Sequence, residues 1–280
     1  VSDPAWRHLL NAYQPTRYPT PGALAAGINR HTRQTLALDL IDQALVDAFS
    51  TPDSRLIISM PPQEGKSVRV AGDFPVWALL QDPEKRIVTA SYSAGLAVRN
   101  GRAIRRRVTS NPRLGLTIAP DNGAVGDWTL DGHQGGVFSV GIGGGVTGRP
   151  ADMLIIDDPI KSRAEAESET YRERVWDWWT DEASARLAPG APVMLIMTRW
   201  HQDDLAGRLV EKDTEAGWRV INIPAQADHD PDKGETDPLG RQPGEFMQSA
   251  RGRTLRQWEL RKATAGSRTW NALYQGRPSP

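Results

Sequence analysis

Short apolar runs recur along the chain at Leu56–Ser59, Ile87–Ser91, Met153–Ile156, Val193–Met197 and Arg219–Ile223. Each has the length of a buried strand rather than of a helix. Helix-compatible segments separate most of them, notably Ser67–Leu80, Ala94–Thr109, Ala164–Arg186 and Gln202–Asp213. A further amphipathic stretch, Thr35 to Phe49, sets Leu36, Leu40, Ala44 and Ala48 at helical spacing. Strands alternating with helices predict an α/β fold, with a mainly parallel central sheet and helices on both faces. Right-handed crossovers then place the strand C-terminal ends on one edge, where ligands bind. Residues 110–150 break the rhythm with Gly-rich turns and a predicted short strand at Val137–Val140. Pro15 to Pro21 reads as loop, residues 225–250 as a long loop or small lid, and Leu255–Ala265 as helix. Three regions follow: an N-terminal segment 1–50, a core 51–224 and a C-terminal lid or linker subdomain 225–280.

Composition narrows the chemistry. The 280 residues include no cysteine, which excludes a disulfide scaffold, cysteine-ligated zinc, Fe–S clusters and thiol nucleophiles. No run reaches the roughly 18 apolar residues of a membrane span, and the N-terminus lacks a signal-peptide core. Lys plus Arg and Asp plus Glu number 34 each. That balance argues at first against a nucleic-acid binder, but the charge is segregated. Between Lys85 and Pro120 there is no acid, whereas residues 157–182 hold nine acids against four bases. Arg99, Arg102 and Arg106 fall on one helical face. That stripe suits DNA phosphates, or an acidic neighbouring surface.

The run Leu56–Ser59 leads into Met60-Pro61-Pro62-Gln63-Glu64-Gly65-Lys66-Ser67, and a helix follows. Gly-Lys-Ser/Thr alone occurs by chance in roughly one chain in ten of this length, so the strand before it and the helix after it carry the argument. Met60 stands at the first glycine position, and Pro61 and Pro62 offer no N–H. The phosphate cradle must therefore come from Gln63, Glu64, Gly65, Lys66 and Ser67, with Glu64 directing its carboxylate away. Lys66 would reach the β- and γ-phosphates of ATP, and Ser67 would ligate Mg²⁺. Met153–Ile156 ends in Asp157-Asp158, placing two carboxylates on the same sheet edge. Asp157 would hold Mg²⁺ and Asp158 would orient or deprotonate the attacking water. Val193–Met197 ends at Thr198, which either senses the nucleotide state or caps the following helix. His201-Gln202-Asp203-Asp204 reads as a helix N-terminus rather than a metal site, and Trp176-Asp177-Trp178-Trp179 as core packing and partner surface.

The ordered set Met60–Ser67, Ala90–Ser93, Gly143–Asp152, Leu154–Pro159, Val175–Trp179, Met197–Leu209 and Ala272–Pro278 resembles the ATPase domain of the large terminase subunit of tailed bacteriophages. The resemblance runs from about residue 30 to the end. It implies a RecA-like, additional-strand P-loop ATPase that uses ATP and Mg²⁺ to drive double-stranded DNA into a procapsid. It also implies a homo-oligomeric ring on the portal protein, a small terminase subunit as partner, and a site of action in the host bacterial cytoplasm. A nuclease domain would follow the linker, so this chain is expected to be the motor part alone, monomeric in isolation. The match makes Thr198 a coupling residue and aligns His31-Thr32-Arg33-Gln34, with Gln34 as its nucleotide-binding candidate, with an adenine-recognition segment. Many relatives have Arg where Gln63 stands, and many P-loop ATPases have Glu where Asp158 stands.

Arg149 lies nine residues before Asp158. Asp152 to Asp158 alone spans roughly 20 Å of extended chain. Arg149 is thus either an arginine finger acting in trans across a ring or a structural residue of the Gly-rich turn. Other classes stay in view: a helicase or kinase on the same fold, or a non-hydrolysing nucleotide-binding assembly module. A kinase lid is usually Arg-rich, and residues 225–250 hold only Arg241.

Overall fold

The computed structural model describes residues 18–145 and 148–279. Residues 1–17 of the expected N-terminal segment, Val146 and Thr147 of the Gly-rich motif, and Pro280 lie outside the described residues. The first element among the described residues is α1 (Pro21–Ile28), which takes in only Pro21, the last residue of the expected Pro15 to Pro21 loop. Thr20 caps it through the Ala23 N–H, and Pro21 supplies the fixed φ of a first helical turn. Pro21 thus starts a helix. Next come α2 (Leu36–Ser50), capped by Thr35, and strand β1 (Arg55–Ser59). The helix after the Gly-Lys-Ser loop is continuous but uneven. Segment α3 (Lys66–Val68) passes through a π turn (Arg69–Asp73) into α4 (Phe74–Gln81).

Strand β2 (Arg86–Ser91) and the basic helix α5 (Ala94–Thr109) follow as predicted. Then β3 (Ile118–Ala124) and β4 (Asp127–Leu130) form an antiparallel hairpin that hydrophobic patterning did not predict. The Asp121-Asn122-Gly123 stretch sits in an irregular register, so the strand never forms an apolar run. Strands β5 (Gly136–Gly141) and β6 (Met153–Asp157) complete this half. The predicted helix 164–186 divides at Ser168 into α6 (Arg163–Glu167) and α7 (Glu169–Asp177), because Ser168 is extended and caps the second piece. A π turn (Trp178–Ala183) continues α7. The chain then forms β7 (Val193–Met197), α8 (Leu205–Lys212), β8 (Arg219–Asn222), α9 (Leu255–Ala265) and α10 (Ser267–Thr269).

Among the described residues eight strands form one sheet in the order β3-β4-β5-β2-β6-β7-β1-β8, parallel from β5 to β8. Strand β7 lies between β1 and β6 and pairs with both. The C-terminal ends of β1, β7 and β6 therefore stand side by side. Alternate residues feed two cores. Leu56, Ile58, Ile155, Met194 and Ile196 face α2, α4 and the last helices, while Ile57, Leu154, Ile156, Val193 and Leu195 face α7 and α8. Trp178 and Trp179 are buried in the second core, as packing residues. Met247, Trp258, Trp270 and Tyr274 share the first core with Met60 and Ile58, so segment 225–279 packs directly on the sheet. Among the described residues no helix is long and apolar enough to cross a membrane.

Candidate functional site

Lys66 begins the helix after β1, with Gly65 before it in the left-handed region at φ 96°. Gln63 also has positive φ, 67°. These conformations turn the loop over the sheet edge. Lys66 is buried, and its Nζ lies 3.3 Å from Asp158 Oδ2. Asp158 follows β6 at φ 46°, a conformation that Asp tolerates better than most residues. Its Oδ1 accepts a 2.9 Å hydrogen bond from the Thr198 N–H. One carboxylate thus spans the ends of β1, β6 and β7. Thr198 is buried there and does not cap α8.

Asp157 is buried. Burial, and then the neighbouring Asp158, push its carboxyl up to about 6, while Lys66, the Ser67 side chain and Asn100 draw it back down. Asn100 Nδ2 donates to Asp157 Oδ2 at 3.1 Å and to Ser91 Oγ at 3.3 Å. Among the described residues Asp157 Oδ1 accepts no hydrogen bond. A buried, under-compensated carboxylate beside a serine hydroxyl fits a divalent cation. Sequence reading missed Asn100. Its signal was available: it lies three residues from Ala97 and four from Ile104 on the buried face of α5, where a polar side chain needs a partner.

Beside the loop, away from Asp157, Asp158 and Thr198, opens a cleft of about 680 Å³. Its walls include Asn29, Thr32, Leu38, Gln63, Gly65 and Val68. Gln34 does not line it. The Gln34 amide is committed at both ends, accepting from Arg69 Nη2 at 2.8 Å and donating to Asp39 and Asp42. Arg69, buried in the π turn, also pairs with Asp42 and Asp73. Glu64 turns its buried carboxylate away from the cleft onto Ser249, Ala250 and Arg253.

Arg99, Arg102 and Arg106 are all exposed on α5, and Arg106 also lines the cleft. Arg149 stands elsewhere. Its guanidinium makes a two-bond ion pair with Asp127 and stacks 4.9 Å over Phe138. In the His201–Asp204 loop, Asp204 caps α8 through the Gly207 N–H at 3.1 Å, and Asp203 binds Arg172 and Arg208. The residues brought together are therefore Lys66, Asp157, Asp158 and Thr198, with Gln63, Gly65 and Ser67 in the same loop.

Residues 57–272 match the family "Terminase large subunit, T4likevirus-type, N-terminal". No curated protein sequence matches the chain. Among solved structures, the large terminase of bacteriophage HK97 is 16% identical with a TM-score of 0.57, over 92% of this chain and 55% of that one. The large terminase of a thermophilic bacteriophage, solved in complex with ADP, is 11% identical with a TM-score of 0.51, over 86% and 52%. The chain thus spans about half the length of these relatives. They share its α/β, RecA-like fold, and in this chain β7 stands between β1 and β6. With most of its length inside the family match, the chain belongs to the large terminase subunit family, T4likevirus type, N-terminal part.

Proposed function

We propose that the chain is the ATPase motor part of a DNA-packaging terminase. On this reading it hydrolyses ATP with Mg²⁺ to move double-stranded DNA into a procapsid. The observation that supports it most is the single carboxylate of Asp158, tied at once to Lys66 and to the Thr198 N–H. A nucleotide's terminal phosphates compete for Lys66 and release Asp158 Oδ2 to accept a proton from water, while the Thr198 N–H keeps Oδ1 in place. Because that N–H belongs to the end of β7, a change at Asp158 is felt at once by Thr198, the proposed coupling residue. Asn100 holds one oxygen of Asp157 and leaves the other open. Magnesium held by Asp157 and Ser67 would offset the charge on those phosphates.

The loop N–H groups of residues 63–67 cradle the phosphates, and the cleft beside them, which Gln63 and Gly65 also line, takes the rest of the nucleotide and the outer side of its polyphosphate. Gln34 acts there indirectly, by fixing Arg69. The working form is a ring on a portal protein in the host cytoplasm, with a small terminase subunit as partner. Arg149 serves a neighbour's nucleotide only if it leaves Asp127. Mixing Arg149→Ala and Lys66→Ala subunits tests this, and no recovery of activity removes the finger role.

Steady-state phosphate release, with and without DNA, tests the whole reading. Turnover should need Mg²⁺ and should vanish in Lys66→Ala. Absence of turnover in every oligomeric state would sink the motor reading, and full activity of Lys66→Ala would sink the site.

A further inference from the structure

The loop that carries Lys66 is tied to a part of the chain 185 positions later. The Glu64 side chain is wholly removed from solvent. Its Oε2 accepts from Ser249 Oγ at 2.9 Å and from the Ala250 N–H at 2.8 Å, and its Oε1 pairs with Arg253 Nη1. Arg253 also donates to Gln63 Oε1 at 3.2 Å and lies 5.0 Å over the Trp258 ring. A buried carboxylate persists only while such donors surround it. The loop and residues 249–253 therefore move together, or a buried charge is stranded.

That attachment brings Arg251 to the wall of the cleft beside Gln63 and Gly65. Arg251 is exposed, and among the described residues its guanidinium meets no carboxylate. Arg33 arrives from the other side. A Cβ on Gly252, at φ 76°, would fall 2.4 Å from Arg33 Nη1, so glycine is what lets that guanidinium lie there. Arg106 adds a third cation from α5. The acid in the same lining is Asp73, already engaged by Arg69 and Arg107. Three guanidiniums from separate elements, lining one cleft whose acid is already paired, form a site for a polyanion.

We infer that Arg251 is a further nucleotide-binding residue, acting on the polyphosphate from the C-terminal segment and held in place by Glu64. The inference rests on the proposed reading of the loop as a nucleoside triphosphate site. Glu64 is a positioning residue in this scheme. It makes the nucleotide loop and the C-terminal segment one binding unit.

Calorimetric titration of the 280-residue chain with ATPγS and Mg²⁺ tests it. Arg251→Ala should weaken binding on the order of 10-fold, the loss expected for one charge-assisted contact, and Arg251→Lys should recover part of it. Glu64→Gln should lose a similar factor, and the Glu64→Gln/Arg251→Ala pair should lose little more than either alone. Bound ATPγS should also slow tryptic cleavage after Arg251. If Arg251→Ala binds like wild type while Lys66→Ala does not bind, this inference fails and the function stands. Full additivity in the double variant overturns the role of Glu64. If the wild-type chain binds no ATPγS, both readings fall together. Should Glu64→Gln lose its fold by circular dichroism, the exposed Arg251 variants decide alone.

Discussion

At the scale of single residues, the site rests on two adjacent aspartates with different surroundings. Asp157 is enclosed, and its Asn100 contact supports only one oxygen. Asp158 is partly open, bonded to Lys66 and to the Thr198 N–H. Replacing Asp158 with Asn keeps a residue that tolerates positive φ but removes the proton acceptor. Its kcat should fall by about 10²–10⁴-fold with nucleotide affinity little changed, as single-turnover and binding measurements would show. Asn100→Ala should act on metal instead. Losing a residue that orients a ligand typically weakens metal binding by about 10-fold or more. The Mg²⁺ concentration for half-maximal activity should therefore rise by that factor, with the rate restored at saturation. An unchanged Mg²⁺ requirement would show that Asn100 does not position Asp157. Lys66, Ser67, Asp157 and Asp158 were legible from type and spacing. Asn100 was not read, because its partner is set by α5 packing on β2 and β5, from where its side chain reaches Asp157 at the end of β6.

At the scale of elements, the parallel strands were read to within a residue, because buried strands show as unbroken apolar runs. The β3–β4 hairpin escaped because its residues are polar and its register irregular. The order of the strands was equally hidden, since no local signal states that β7 separates β1 from β6. One inter-element tie lends itself to a pH test. Asp203 accepts from Arg208 on α8 at 2.7 and 2.8 Å and from Arg172 on α7 at 2.8 Å. Its hydrogen bond with Arg208, with help from Arg172, holds its carboxyl down at about 2, against 3.8 normally. Because the folded value lies below the unfolded one, the tie contributes fully above about pH 4 and is lost as pH falls towards 2. Asp203 is partly exposed, so the contribution is screened and small. Asp203→Asn should be less stable than wild type in urea at pH 7, and the two curves should converge near pH 2. A constant gap across that range would show that charge is not what binds α7 to α8.

At the scale of the whole molecule, segment 249–253 and the basic stretch raise the same question of where charge is left free. The contact between Glu64 and residues 249–253 could not be read from the chain. It joins distant positions through side chains that look individually like surface groups. Three-dimensional pairing likewise divides the basic residues between Lys85 and Arg113. Lys85, Arg86 and Arg107 are neutralised by Asp82, Asp152 and Asp73. Arg99 and Arg102 remain exposed on α5, whereas Arg106 also lines the cleft beside the Gly-Lys-Ser loop. On the proposed reading the two ends of one stripe serve different anions. If α5 holds DNA, each phosphate contact contributes about 0.9 to the slope of log affinity against log salt. Arg99→Ala/Arg102→Ala should then lower that slope by about 2, equally for any duplex sequence, and leave ATPγS binding intact. Arg106→Ala should do the reverse, weakening ATPγS while changing the DNA slope by less than one contact. Fluorescence anisotropy of a labelled duplex across a salt series measures the first effect. If the double variant keeps the wild-type slope, α5 does not grip DNA and its outer arginines face an acidic surface such as that of residues 157–182 on a neighbouring copy.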